Sequence, residues 1–462
     1  MKRALQNFVT QLVPVYREIN PYKRVTSNTF KINNYNEMKK YVLFFAIIIS
    51  LNSYAQNETN YDESKIPDYK LPEVLVSEKG KKITNSRSWL KKRRPEIVSL
   101  FEENIYGKVP GELKLTSYKV VEESKDAFNG KAIRKQVTLN FKNNRKELSV
   151  GLLIYLPKNH GKVPVFVSYN YWGNHTVADD PEILLTESWI SNSSTLGRTN
   201  NRVTEQSRGA GKKLLSVEKL IDAGYGLATM FAGDVDPDKD AATGPDYSDG
   251  VHPLLYKNGQ TKPLDNEWRT IAAWAWGLSR AQDYFEKDDD IDQNKVIAFG
   301  HSRHGKAALW AGALDQRFAM IISNNSGSGG AALSRRQFGE RLAGMNAQFP
   351  HWLCGNCIKY DYKEETLPVD QHELIALIAP RPVYIASAEE DLWADPKGEF
   401  LSAYYATPVY ELFGKQGVIS PIMPEINQPV MTTIGYHIRS GGHSVTDFDW
   451  NQYIKFANIH LK

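Results

Sequence analysis

Ser302 stands in the run Lys295-Val-Ile-Ala-Phe-Gly300-His-Ser302-Arg303-His304-Gly305-Lys306-Ala-Ala-Leu. The residues before Gly300 are apolar and those after Gly305 are rich in Ala and Leu, so a strand is predicted to end where a helix begins. A serine in such a tight turn has its hydroxyl pushed out at the top of a sheet, and a small glycine lets the neighbouring backbone come close. The helix start behind it offers free N–H groups and the positive end of the helix dipole. Both suit the oxyanion formed in acyl transfer. The second glycine stands one place later than in the usual Gly-x-Ser-x-Gly, with His304 in its position. The expected chemistry is nucleophilic attack on an ester by Ser302, with the backbone N–H of Arg303 as oxyanion donor.

A serine hydroxyl needs a general base, and in sheets of this kind the order along the chain is Ser, acid, His. The histidines after Ser302 are His304, His351, His372, His437, His443 and His460. His443 lies in Ser440-Gly-Gly-His-Ser, after residues 431–438, which read as a last strand. A glycine-rich loop there can bring an imidazole over the serine. His437 reads as a strand or pocket residue. The acid would fix the imidazole tautomer and stabilise the imidazolium. Residues 382–387 read as a strand, and the loop after it, Ala388-Glu389-Glu390-Asp391-Leu-Trp-Ala-Asp395, is acidic. Asp391 is the expected acid and Glu390 the alternative. Trp393, two residues on, offers an exposed indole as a platform for a sugar ring.

These residues need a scaffold. From 115 to 155 apolar and polar residues alternate, as in Lys135-Gln-Val-Thr-Leu-Asn-Phe, which predicts antiparallel strands opening the sheet. Short apolar runs at 163–168, 226–231, 296–300, 319–323 and 382–387 then alternate with helix-like stretches at 217–223, 267–285 and 305–314. Strands buried on both faces, with helices between them, predict a mostly parallel sheet flanked by helices. With the Ser302 turn this is the α/β-hydrolase fold, a three-layer sandwich. A helix is expected over 90–106, closed by Gly107. The insertions 171–216 and 233–265 are expected at the carboxyl ends of strands, where such folds bind ligands. Asn170-Tyr-Trp-Gly-Asn-His175 fits a loop on the oxyanion side. Asp234-Val-Asp-Pro-Asp238, with Asp240, lacks EF-hand spacing and reads as a rim loop with no metal.

The amino-terminal stretch differs. Met38-Lys-Lys starts a basic patch, residues 42–51 are almost wholly apolar, and Ser53-Tyr-Ala55 supplies small residues. This is the pattern of a secretory signal, over 38–55, and the apolar run is too short to span a bilayer. Residues 1–37 are expected to be a gene-model extension, and 56–462 a single catalytic domain that is secreted or periplasmic, without stable membrane insertion. The first 55 residues hold 8 of the 57 Lys and Arg and 2 of the 53 Asp and Glu, which leaves 49 against 51 and a net charge of −2 for 56–462. No basic block with interleaved aromatics is present there, so nucleic acid is excluded as a partner. Cys354 and Cys357, the only cysteines, are expected as half-buried thiols or one tight disulfide.

Gly-His-Ser302-Arg-His-Gly-Lys306 resembles the Gly-Cys-Ser-Arg-x-Gly-Lys signature of the glucuronoyl esterases, carbohydrate esterase family 15. Ala311-Gly-Ala-Leu-Asp-Gln-Arg-Phe-Ala, Ser326-Gly-Ser-Gly-Gly-Ala and His372-Glu-Leu-Ile-Ala-Leu-Ile-Ala-Pro-Arg-Pro extend the likeness over residues 160–460. The Gly-Gly-His443 loop and the following Asp447-Phe-Asp-Trp resemble the family's base loop. The resemblance implies that the Arg303 guanidinium faces the oxyanion, that Lys306 hydrogen-bonds sugar hydroxyls, and that Trp393, Glu340 and Gln348 contact the sugar. Two positions depart from it. His301 replaces a cysteine of many members, so any disulfide there is absent. Asn325 replaces the glutamate that many members use as acid, and asparagine carries no charge; some bacterial members use the later loop, here Asp391. The implied reaction is hydrolysis of esters of (4-O-methyl-)glucuronic acid, as in lignin–glucuronoxylan cross-links, through an acyl-enzyme and with no cofactor. An acetylxylan-type esterase and a catalytically impaired carbohydrate-binding homologue are the alternatives.

Overall fold

The computed structural model describes residues 59–143, 146–158, 161–239 and 245–462. The expected signal segment and extension lie outside these residues. Ten strands form one sheet: β1 (Ser117–Asp126), β2 (Ala132–Asn143), β3 (Lys146–Pro157), β4 (Val163–Asn170), β5 (Gly226–Phe231), β6 (Ile291–His301), β7 (Met320–Asn324), β8 (Val383–Ala388), β9 (Val430–Met431) and β10 (Ile434–Arg439). Their order is β1-β2-β3-β5-β4-β6-β7-β8-β10-β9. The alternating segment 115–155 gives the antiparallel part, with β2 and β3 paired from Ala132↔Pro157 to Asn143↔Lys146. From β5 through β10 the central pairs are parallel. β5, β7, β8 and β10 are buried at every residue, which is why β5, β7 and β8 appear in the sequence as mainly apolar runs without alternation.

Period-2 side-chain alternation divides the interior into two cores, one on each face of the sheet. Val296 and Ala298 of β6 join the core that contains α1 (Thr270–Phe285) and α2 (Arg303–Leu314). Ile297 and Phe299 join the other core, with Trp450, Tyr453 and Phe456 of the last helix. The remaining long helices are α3 (Pro396–Glu411) and α4 (Asp447–Leu461). The sheet thus lies between two helical layers, as the sequence predicts. The helical segment expected over 90–106 begins earlier, at Ser86, includes two π-helical pieces, and stops at Gly107 with φ 81°.

After β4 the chain moves to one side to form β5 and then returns to the other side of β4 to form β6. Such a reversal opens a crevice at the carboxyl ends of the two strands. Asn170 ends β4 and His301 ends β6, so Tyr171 and Ser302 both enter that crevice. The insertions 171–216 and 233–265 follow the carboxyl ends of β4 and β5, as expected. No helix among the described residues is long and apolar enough to cross a membrane. The cysteine expectation needs correction: Cys354 and Cys357 are both free and wholly buried, not half-buried and not joined. They pack in the helical core, where burial pushes the Cys354 thiol up to about 11.

Candidate active site

Ser302 has φ 56° and ψ −128°, a conformation that costs on the order of 1–3 kcal/mol for a residue with a Cβ. The surroundings enforce it. The Ser302 N–H donates to the Asn324 carbonyl at 2.8 Å, and Gly305 N–H returns to the Ser302 carbonyl at 2.8 Å. A Cβ at Gly300 would lie 2.0 Å from the His304 carbonyl oxygen, and one at Gly305 would meet Ser323 Oγ and Ser326 Cβ at 2.9 Å. The displaced second glycine is therefore needed at 305, where α2 crosses the end of β7. Arg303 is the first residue of α2, so its N–H has no partner within the helix and is free for an oxyanion.

His443 Nε2 lies 2.9 Å from Ser302 Oγ, and His443 Nδ1 lies 2.6 Å from Asp391 Oδ2. Burial alone would raise the Asp391 carboxyl; the hydrogen bond and charge of His443, with help from Asn325, hold it below its ordinary value. Asp391, not Glu390, faces the imidazole: Glu390 is exposed and touches the histidine loop through its backbone N–H to the Gly441 carbonyl. Asn325 Nδ2 donates to Asp391 Oδ2 at 2.6 Å. Asn325 thus supports Asp391, the carboxylate that the later loop sets against His443.

The other histidines are occupied elsewhere. His437 is buried against Asp449, His351 bonds Asp238, and His372 and His460 bond backbone carbonyls. His304 is buried and stacked on Tyr171 with ring centroids 4.2 Å apart. His301 lies against His443, centroids 4.6 Å apart, and burial pushes it down to about 3. Its Nδ1 faces Asn324 Oδ1 at 2.6 Å while the Asn324 amide donates to Tyr453 and Asp449, so His301 Nδ1 carries the proton.

The Arg303 guanidinium hydrogen-bonds Asp238 and lies 4.8 Å from the Trp352 ring centroid. Burial would raise the Asp238 carboxyl, but Arg303, His351 and Trp352 hold it well below the carboxylate range. The rim-loop acids therefore have separate structural duties. Asp238 fixes Arg303, and Asp234 accepts from Gly151 N–H and Thr186 Oγ. Among the described residues no group of three or more His, Cys, Asp or Glu could hold a metal.

Ser302 and His443 border two cavities. One, of about 500 Å³, is lined by Arg303, Lys306, Glu340, Gln348 and Trp393, so every predicted sugar-contacting residue lines it. Lys306 is buried rather than at the surface and bonds Glu340 Oε2 at 2.7 Å and the Ser328 carbonyl. The Trp393 indole is 39% exposed, enough to offer a face to a ring. The other cavity, of about 570 Å³, is walled by Tyr171, Trp172, Trp189 and Phe231 from the insertions and β5. Sequence reasoning missed Glu399. It is fully buried and accepts from Ser326 N–H, Gly327 N–H and Ser387 Oγ, anchoring the loop after β7. Burial pushes its carboxyl up to about 8. Its signal was a lone acid on the apolar face of α3, in line with Ala403, Ala406 and Tyr410.

A serine at this strand-to-helix turn, in this sheet, defines an α/β-hydrolase. Residues 260–414 match the family model "Glucuronyl esterase, fungi". Over 404 residues the chain is 50% identical to carbohydrate esterase MZ0003 of an unknown prokaryotic organism, covering 87% of this chain and 92% of that protein. The structure of a promiscuous CE15 esterase from the marine bacterial metagenome matches with a TM-score of 0.81 at 50% identity, over 87% of this chain and 100% of that one. A glucuronoyl esterase from Solibacter usitatus matches with a TM-score of 0.80 at 47% identity, over 86% of this chain and 100% of that one. The chain belongs to the glucuronoyl esterases of carbohydrate esterase family 15 and is a carboxylic ester hydrolase.

Proposed function

We propose that the chain hydrolyses esters formed on the carboxyl group of glucuronic acid, with Ser302 as nucleophile, His443 as general base and Asp391 as the acid that orients it. The hydrogen-bonded line Ser302–His443–Asp391 carries the reading. Ser302 Oγ attacks the ester carbonyl as His443 Nε2 takes its proton. The oxyanion meets the Arg303 N–H, with the fixed guanidinium of Arg303 beside it. His443 then protonates the alcohol as the C–O bond breaks. Water, activated by the same imidazole, releases the uronic acid from the acyl-enzyme. The Lys306–Glu340 pair and the Trp393 face suit a sugar with hydroxyls on its edges and a flat apolar side. Family membership favours 4-O-methylglucuronate in xylan, esterified to lignin alcohols, and the 38–55 segment fits export toward such a polymer.

The relative described as promiscuous favours a second reading, in which other carbohydrate esters, acetylxylan included, are also cleaved. Methyl glucuronate and acetylated xylan, assayed side by side with wild type and Ser302→Ala, decide between them. Turnover of the uronate that Ser302→Ala reduces by ~10⁴-fold or more is expected. Preference for the acetate esters would overturn the uronate assignment, and uronate binding without turnover would overturn catalysis. The cavity roles predict that Trp393→Ala raises KM for the uronate about tenfold, in line with loss of one stacking contact, with little change on small acetate esters.

A further inference from the structure

The loop that carries His443 has almost nothing of its own to hold it in shape. Ser440-Gly-Gly-His443-Ser contains no helix or strand and no apolar side chain. Its backbone carbonyls are nevertheless nearly all bonded, and one side chain supplies most of the donors. Arg439, the last residue of β10, is 2% exposed. Its Nη1 donates to the Ser440 carbonyl at 2.8 Å, and its Nη2 donates to the Gly442 and Ser444 carbonyls at 3.0 and 2.5 Å. The Gly441 carbonyl accepts from Glu390 N–H. The loop is therefore wrapped around a guanidinium.

The guanidinium is itself fixed. Arg439 Nε donates to Asp449 Oδ2 at 2.7 Å. Asp449 is fully buried and belongs to the capping box of α4, where the same oxygen accepts from Thr446 N–H and Oγ. Its other oxygen accepts from His437 Nε2 at 2.9 Å and from Asn324 Nδ2 at 3.2 Å. Asn324 ends β7, receives the Ser302 N–H on its carbonyl, and bonds His301 through its side chain. The carboxylate thus joins the histidine loop to the turn that carries the serine.

We infer that Arg439, anchored by Asp449, is a positioning residue that sets the place of His443 over Ser302. The inference rests on His443 being the base. A planar fork that binds three carbonyls at set angles is something arginine can do and lysine cannot. The contribution goes through geometry: a displacement of about 1 Å at a reacting group can cost 10²-fold in rate. Arg439 touches neither the line of Ser302, His443 and Asp391 nor the cavity with Lys306 and Trp393, so substrate affinity should be indifferent to it.

The test compares Arg439→Gln, Arg439→Lys and His443→Ala with wild type. Three quantities are measured: kcat and KM on methyl glucuronate, kcat on a p-nitrophenyl acetate ester, and the rate at which a fluorophosphonate labels Ser302. In the Arg439 variants kcat on both esters and the labelling rate should fall together by ~10–100-fold, with KM within about twofold of wild type. Millimolar guanidinium ion should restore part of the labelling rate in Arg439→Gln. Unchanged labelling in a folded Arg439 variant would overturn the inference. So would a KM rise that matches the kcat loss. If Arg439→Gln does not fold, Arg439→Lys decides on the same criteria. Full activity of His443→Ala would overturn the base assignment instead, and loss of uronate turnover with intact acetate turnover in wild type would overturn only the substrate.

Discussion

Ser302 and His443 meet in one hydrogen bond but are put there by opposite means. The serine is placed by its own backbone: a strand end, a strained φ, and two glycines that let α2 close over β6 and β7. The histidine is placed by side chains from elsewhere: Asp391 after β8, Arg439 at the end of β10, and Asp449 at the start of α4. Local geometry writes itself into a short stretch of sequence, whereas a loop held by remote side chains leaves only glycines and a histidine. A turn of the first kind is rigid by construction. A loop of the second kind is as well placed as its supports.

Removal of a remote support should leave the fold and abolish the chemistry. Asp391→Asn keeps the shape of the acid but lets the imidazole take the wrong tautomer. It is expected to lower kcat by ~10³–10⁴-fold with the melting temperature little changed. Turnover unaltered by this change would mean that His443 is held without the acid, and the contrast between the two regions would collapse. The glycines sharpen the same contrast in stability. Gly300→Ala drives a Cβ to 2.0 Å from the His304 carbonyl and should cost ~3 kcal/mol or prevent folding. At Gly442 the nearest atom to an added Cβ is Glu390 Oε2 at 3.9 Å, so Gly442→Ala should cost less than about 0.5 kcal/mol. Urea unfolding of the two variants checks both figures, and equal losses would break the distinction.

The smallest effect concerns Glu399, which steadies the loop after β7. Its carboxyl is raised in the folded state to about 8, against an ordinary value of about 4.3. The folded chain therefore holds this proton more tightly than the unfolded one. The stability linked to it is present below the ordinary value and is lost as pH rises toward 8. Glu399→Gln retains an oxygen for the Ser326 and Gly327 N–H groups, and its amide N–H can donate to the Ser387 hydroxyl oxygen once that hydroxyl turns. It should flatten the decline in melting temperature between pH 5 and 8 by a few degrees. A decline as steep as that of wild type would show that other groups carry it.

The same contrast explains what could be read in advance. The strand-turn-helix around Ser302 was legible because each local signal agrees with its neighbours. The parallel strands, buried on both faces, announced themselves as apolar runs. His443 and Asp391 were reachable through chain order and the loops after predicted strands. Arg439, Asp449 and Asn324 were not, because a buried polar network has no period or spacing and is visible only when distant elements come together. Asn325 read as a lost acid, yet in three dimensions it is a hydrogen-bond donor to Asp391. Cys354 and Cys357 read as half-buried thiols or one tight disulfide, yet they are free and fill the core.

The two cavities on either side of Ser302 have a consequence for the order of events. With the sugar acid held on the Lys306 side, as proposed, the chamber walled by Trp172 and Trp189 is the other space bordering Ser302, and the freed alcohol would depart through it. The attacking water would then arrive through the chamber just vacated. Water and alcohol thus compete for the same doorway. At high alcohol concentration the enzyme should transfer the uronoyl group to alcohol, and reshaping the walls of that chamber would turn an ester-cleaving catalyst into an ester-making one.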